Sequence, residues 1–347
     1  MLNLDGSKHS GSGTIVRFGV ALAALAGQEL TLTNIRARRD QPGLRPQHLK
    51  AVEAITELCQ GTLEGGVVGS RELHFRPGPL PQGGDFHWDI GTAGSTTMLA
   101  LAALPVAAFA AQPCRFRITG GVFQDFAPSA FHLQQALLPL LRRMGLKADL
   151  RILRPGYAPA GGGVIELLVE PVANQLSPLR LVQQDNNARF WGIAFSSRLE
   201  RRQVSQRMAA SCQGVLAQRG LKADIQVSSD DTAAQAGAAL ALFAQGDEAI
   251  IGADQAGAPR RSAESIGRYV SNCLLEDLDS GATVDRHLAD QMVIFAALGE
   301  GTSEFLIPGA TDHVHANIWL VETILGARAR LEGQLLRIEG AGYERRN

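Results

Sequence analysis

The chain has 347 residues, 45% hydrophobic and 19% charged, which excludes a disordered chain and suggests two domains or an internally repeated one. The formal net charge of −1 excludes a general attraction to nucleic acid, so any polyanion must meet a local patch. Cys59, Cys114, Cys212 and Cys273 stand far apart without metal-ligand spacing, and the Ala/Leu-rich runs break before membrane-spanning length. That pattern argues against a disulfide framework, a cysteine metal site or a membrane partner, and predicts a cytoplasmic protein.

In chain order, a short strand up to Asp5 leads into the Gly-rich loop 6–13 and an apolar helix from Ile15 to Ala26. This is either a phosphate cradle or a tight turn; it is not a P-loop, because no Lys-Ser/Thr follows the last glycine. A strand over Leu30–Ile35 precedes Arg36, Arg38, Arg39 and Arg45, and Pro46 opens the next helix. Those arginines are an anion site or a solvated charge run. Strands at 73–76 and 86–90 lead to a second Gly/Ser/Thr junction at Gly91–Thr97 and an apolar helix. A strand at 115–119, Gly120-Gly121 and an amphipathic helix over 130–144 follow.

The pentapeptide Gly145-Leu-Lys-Ala-Asp149 recurs at 220–224, each time between a helix and a strand. With Gly61 and Gly326 after other helices, it suggests a repeated helix–Gly–strand–strand unit. Polar residues over 174–187, Asn186 among them, mark a boundary, and 180–278 has strands and helices of its own. A helix from Asp285 and a strand over 304–307 reach Pro308-Gly309, where a polar loop presents His313 and His315 ahead of the last helix. Alone, the two histidines read more readily as surface polar residues, or as part of a satisfied N-terminal turn, than as a site.

Together these pieces resemble the RNA 3′-terminal phosphate cyclase family. The resemblance rests on Asp5-Gly6 with Arg17, the segment Ile35–His48, Gly91-x-Ala-Gly94-Ser95, Gly120-Gly121 with Ala127-Pro128, Pro159–Gly163, Leu288-Ala-Asp290-Gln291 and His313-x-x-x-Asn317. It implies an α/β (α+β layered) fold: repeated βαβαββ units over 1–179 and 279–347, and a smaller α/β insert over 180–278.

It further implies ATP-dependent conversion of an RNA 3′-phosphate to a 2′,3′-cyclic phosphate through a histidine–AMP intermediate, with His313 as nucleophile. Arg17, Arg36, Arg39, Gln47 and His48 are expected to line the phosphate-rich part. His287, Leu288, Ala289, Asp290 and Gln291 are expected at the nucleotide, with Pro128 and His287 flanking adenine. ATP with Mg²⁺ (or Mn²⁺) and RNA carrying a 3′-phosphate are the expected cofactors and partner.

Three departures stand out. Ser10 replaces the family's glutamate, Leu101 a glutamine usual in bacterial members, and Phe131 a common aspartate. His9, Asp125 or Asp312 are candidates to compensate. An impaired, cyclase-like RNA- or nucleotide-binding protein is the alternative; a carboxyvinyl transferase, also built of βαβαββ units, is a remoter one.

Overall fold

The computed structural model describes residues 1–79, 81–125, 127–185 and 187–345. Asn186 of the polar stretch and the last two residues of the 279–347 range lie outside the described residues. Three βαβαββ units follow one another. The first is β1 (Leu2–Asp5), α1 (Gly13–Ala26), β2 (Leu30–Thr33), α2 (Pro46–Leu58), β3 (Thr62–Glu64) and β4 (Leu73–Arg76). The second is β5 (Gly84–Asp89), α3 (Thr96–Ala108), β6 (Cys114–Gly120), a helix in three parts, β7 (Ala148–Arg154) and β8 (Gly163–Val169). That helix runs from α4 (Ala130–His132) through a π turn (Leu133–Leu137) into α5 (Leu138–Arg143).

The third unit opens with β9 (Arg180–Leu181) and is interrupted by β10 (Arg189–Ser197), α6 (Val204–Ala217), β11 (Ala223–Ser229), β12 (Gly237–Gln245), β13 (Ile250–Ala256) and α7 (Ala263–Asp279). It resumes with α8 (Leu288–Leu298), β14 (Thr302–Leu306), α9 (Asp312–Leu325), β15 (Arg328–Glu332) and β16 (Leu335–Glu339). The sheets read β1-β2-β4-β3, β5-β6-β8-β7 and β9-β14-β16-β15, so all three units share one strand order. In each, the first two strands pair parallel and the rest antiparallel.

The first helix of each unit is apolar on every side, and such a helix must lie in the middle. Accordingly α1 is buried along its whole length, α3 except at Met98, and α8 except at Asp290. The sheets cover them with alternating strands such as β4 and β6, apolar side inward. The interrupting segment forms a fourth sheet, β11-β10-β12-β13. One face packs under α6 and α7 in a core of its own that includes Met208, Leu240, Leu242, Val270 and Leu274. The other joins the large core, where the Phe195 ring lies 5.7 Å from Phe123 and 5.9 Å from Phe131.

Several expectations are corrected. Of the two placements open for His313 and His315, a polar loop or an N-terminal turn, they take the turn: both stand in the first turn of α9, because Thr311 caps the helix by accepting from the Val314 N–H (3.2 Å). Arg180 and Leu181, expected in the insert, pair with β14 and belong to the third sheet. Strands β3, β15 and β16 stand where the helix–Gly–strand–strand unit implied strands but gave no bounds; Thr62–Glu64 and Arg328–Glu332 are largely polar and only part-buried, so their own pattern marks them weakly. The helix–Gly–strand–strand unit recurs after Gly61, Gly145 and Gly326, whereas the pentapeptide's second copy, at Gly220, lies in the fourth sheet outside that repeat. Gly145 and Gly220 both adopt positive φ (99° and 69°), but β7 pairs antiparallel with β8 while β11 pairs parallel with β10. After α2 the left-handed residue is Gln60 (φ 52°), not Gly61.

Candidate active site

All six helices of the three units begin at one cavity of about 610 Å³. Its walls are the N-terminal turns of α1 (Ser12, Gly13, Thr14, Arg17), α2 (Gln47, His48), α3 (Gly94, Ser95, Met98), α8 (His287, Asp290, Gln291) and α9 (His313), with Ala127 and Pro128 just before α4. Each helix start exposes unpaired backbone N–H groups and the positive end of its dipole, so the shared cavity favours an anion. Met98 and Asp290, the two residues that interrupt the burial of α3 and α8, both face it.

His313 is half-buried, with Nδ1 3.0 Å from the Thr14 hydroxyl oxygen on α1. Burial lowers its pKa, the charges of Arg17 and Arg39 lower it further, and Asp312 opposes them. The imidazole is therefore neutral near pH 7. Nδ1 is engaged by Thr14, and no described residue hydrogen-bonds to Nε2. When Nδ1–H donates to the hydroxyl, Nε2 carries the lone pair.

Arg17 is only 5% exposed, and its guanidinium has no hydrogen-bond or ion-pair partner among the described residues. Burial brings its pKa down to about 10, against the pull of Asp290. Arg36 takes a positive φ (53°) and donates from Nη1 to the Gln41 and Gly43 carbonyls, which shapes the arginine loop. Arg39 lines the cavity, and its side chain is likewise unpaired among the described residues. Arg38 and Arg45 of the same run do not line it. Burial, then the charges of Arg17 and Arg36, brings the His48 pKa down to about 2, so His48 is neutral; its Nδ1 accepts from the Arg45 N–H (3.3 Å). A Cβ at Gly13 would stand 2.2 Å from His48 Nε2 and 2.8 Å from Arg17 Nη1, which is why only glycine fits there. Gln47 Oε1 accepts from Ser95 N–H (3.2 Å), tying α2 to the start of α3.

On the opposite wall, buried Asp285 organises the start of α8. Oδ1 accepts from the His287 and Leu288 N–H groups (2.9 Å each), while Oδ2 accepts from Gly252 N–H (2.9 Å) and meets His132 Nε2 at 3.0 Å. Burial alone would lower the His132 pKa, yet Asp285 raises it to about 9; burial opposes but His132 overcomes it to hold Asp285 at about 2. The pair is ionised, and the His132 ring sits edge-on to His287 at 5.6 Å. Burial brings the Asp290 pKa up to about 7 although Arg17 opposes the change. Asn317 donates from Nδ2 to the Asp290 carbonyl (2.7 Å), fastening α9 to α8. Gln291 Oε1 is buried without a partner among the described residues.

Of the expected site residues, Arg17, Arg36, Arg39, Gln47, His48, Pro128, His287, Asp290, Gln291 and His313 thus share one cavity. Leu288 and Ala289 do not reach it. Both are fully buried in the core, because α8 turns that face away from the opening. Thr14, Ser12 and Met98 were missed as cavity residues; Thr14 follows the Gly-rich loop, and only the contact with residue 313 reveals it.

Among the departures, Leu101 lines the cavity, Phe131 joins the aromatic core, and the Ser10 hydroxyl pairs with Ser12 Oγ at 2.9 Å. The candidate compensating carboxylates are differently placed. Asp125 is held by Arg261 (2.7 and 3.0 Å), and Asp312 is exposed on α9. The His9 ring packs at a tilt against Trp319. Among the described residues no group of three or more His, Cys, Asp or Glu could hold a metal ion.

The sequence profile of the RNA 3′-terminal phosphate cyclase family matches residues 8–331. A relative described as RNA 3′-terminal phosphate cyclase from Nitrosospira multiformis is 39% identical, covering 97% of this chain and 96% of its own. Relatives of the same description from Korarchaeum cryptofilum (34%, 99% of each chain) and Methanothermobacter thermautotrophicus (36%, 96% and 97%) are also similar. Among solved structures, the enolpyruvyl transferase NikO from Streptomyces tendae overlaps 99% of this chain and 50% of its own. Its TM-score of 0.40 and 12% identity carry no weight here.

Proposed function

The chain belongs to the RNA 3′-terminal phosphate cyclase family, and from that premise we propose that His313 is the nucleophile of an ATP-dependent RNA 3′-phosphate cyclase. The observation that carries the assignment is a neutral imidazole beside Arg17 and Arg39, both unpaired among the described residues, in a cavity where six helices begin.

His313 Nε2 attacks the α-phosphorus of ATP; the N–P bond forms, the α–β P–O bond breaks and pyrophosphate leaves. Thr14 takes the Nδ1–H hydrogen bond, so the positive charge that develops on the ring has a fixed acceptor. Arg17 and Arg39 face the charge that spreads over the transferring phosphoryl oxygens. An RNA 3′-phosphate oxygen then displaces the imidazole and takes the adenylyl group. Finally the neighbouring 2′-hydroxyl attacks the 3′-phosphorus, losing its proton as AMP leaves, and the cyclic ester closes.

For the base, the unpartnered Gln291 Oε1 offers an acceptor suited to adenine's exocyclic amine, with Pro128 and His287 beside it. A divalent ion fits only as a companion of the triphosphate, since Asp125 is paired and Asp290 is disposed toward its neutral form. The cation would supply charge neutralisation of the leaving pyrophosphate. We read 182–279 as an inserted domain that holds the α8 start through Gly252 and Asp285. No described helix is long and apolar enough to cross a membrane; RNA end processing in the cytoplasm is part of the same proposal.

The test is incubation with α-labelled ATP and Mg²⁺ or Mn²⁺, followed by a search for an acid-labile protein–AMP adduct. Formation by the parent and none by His313→Ala is expected; an equal adduct in both overturns the assignment. The impaired-protein alternative rests on Ser10 and predicts no adduct at all.

A further inference from the structure

Three chain segments each give residues to the cavity and others to the surface just outside it. The loop before α1 gives Ser12 to Thr14 inside and Lys8 and His9 outside. The arginine loop gives Arg39 inside and Arg38 outside, while α9 gives His313 inside and, on its outer side, His315 and, one turn further, half-buried Trp319.

The outer residues meet one another. Lys8 Nζ lies 5.3 Å from the Trp319 ring centroid, and the His9 ring lies 5.3 Å from it at 37°. Arg38 donates to the His9 carbonyl (2.9 Å), and its stem crosses Gly11, where an added Cβ would stand 3.0 Å from it. His9 holds a positive φ of 47° in this arrangement. His315 and Arg38 are close enough to act on the charge of His9, and Asp312 is the acid that opposes them. Neither Lys8 nor Arg38 forms an ion pair among the described residues. An indole and an imidazole framed by two unpaired cations is the chemistry that takes single-stranded nucleic acid, with bases on ring faces and phosphates on ammonium and guanidinium groups.

We propose that this patch of Lys8, His9, Arg38, His315 and Trp319 is a docking surface for the single-stranded RNA immediately upstream of the phosphorylated 3′ end. The proposal rests on the cyclase reading. That reading places a terminal phosphate in the cavity, and the chain behind it must leave over the rim. The patch gives His315, unexplained by the chemistry, a place beside the strand. It adds grip and length preference, not reaction.

The experiment compares the parent with Lys8→Ala/Arg38→Ala and with Trp319→Leu. Binding of a 3′-phosphorylated decanucleotide, KM for that RNA and for a 3′-phosphorylated dinucleotide, and the rate of protein–AMP formation are measured. The decanucleotide is expected to bind the double variant about tenfold more weakly, with the log–log salt slope reduced by about 1.4 for two lost phosphate contacts. Trp319→Leu is expected to weaken decanucleotide binding several-fold with little change in salt slope. Dinucleotide KM and adduct formation stay at parent values throughout. Unchanged decanucleotide binding and slope in the double variant overturn the docking surface while leaving a parent adduct, and so the cyclase reading, intact. Equal losses for dinucleotide and decanucleotide overturn it too. Direct binding decides the matter even if the parent forms no adduct, an outcome that would sink the cyclase reading separately.

Discussion

Thr14→Val removes one hydroxyl and little else. The side chain is 3% exposed in the first turn of α1, and valine keeps its branching and volume. What is lost is the 3.0 Å contact to His313 Nδ1. A hydrogen bond of this kind contributes about 0.5–1.5 kcal/mol, and more when one partner becomes charged, about 1.5–3 kcal/mol. In the ground state the imidazole is neutral; as Nε2 bonds to phosphorus, the ring turns cationic and the contact strengthens. The difference of about 1–1.5 kcal/mol acts on the barrier, so adduct formation slows roughly five- to tenfold. The assay is single-turnover formation of labelled protein–AMP at saturating ATP, with thermal unfolding as a check on the fold. Thr14→Ser restores the hydroxyl and is expected to recover most of the rate. A Thr14→Val protein that adenylylates at the parent rate, or a serine variant no faster than the valine one, refutes the reasoning.

The lowered pKa of His313 places the acid limb of its adenylylation rate below pH 6.5. Removing a nearby positive charge with Arg39→Met moves that limb to higher pH, read from pH–rate profiles of the two proteins; a shift to lower pH contradicts the electrostatics. Gly13→Ala forces a Cβ against His48 and Arg17, so adduct formation is expected to fall at least tenfold, and parent-like rates would show that the wall yields. Asp285→Ala strands the buried His132 charge and three backbone donors, costing about 3–5 kcal/mol in denaturant unfolding. The raised His132 pKa and lowered Asp285 pKa confine that stabilisation. It is fully present between pH 3.8 and 6.5, and is lost as pH rises through about 9 or falls through about 2. A loss under about 1 kcal/mol at pH 6 discards this account.

Much of the architecture was legible because helices and their stops leave strong local marks. Gly27 and Gly326 end α1 and α9 in left-handed conformations, and Pro46 opens α2. The weak marks were the largely polar strands β3 and β15, whose pairing is decided by neighbours rather than by their own pattern. The arginine run showed that a phosphate site was near, but not that Arg39 enters the cavity while Arg38 stays outside. That choice follows from the positive φ of Arg36 and its hold on Gln41 and Gly43. Leu288 and Ala289 went astray because a motif marks a stretch, whereas a helix shows only some of its residues to any one neighbour. Thr14 and Asp285 act through partners 299 and 153 positions away, distances at which a lone sequence carries no trace of contact.

The interruption of the third unit has a consequence in time. During synthesis β9 emerges early, yet its partner β14 follows more than a hundred residues later, after the whole fourth sheet. Closing so long a loop is slow, and domains formed earlier on the chain do not wait for it. Four of the six helix starts can therefore gather around an anion before α8 and α9 exist. The nucleophile comes on the last helix of all, so a partly made chain has the means to hold a phosphate and none to activate it.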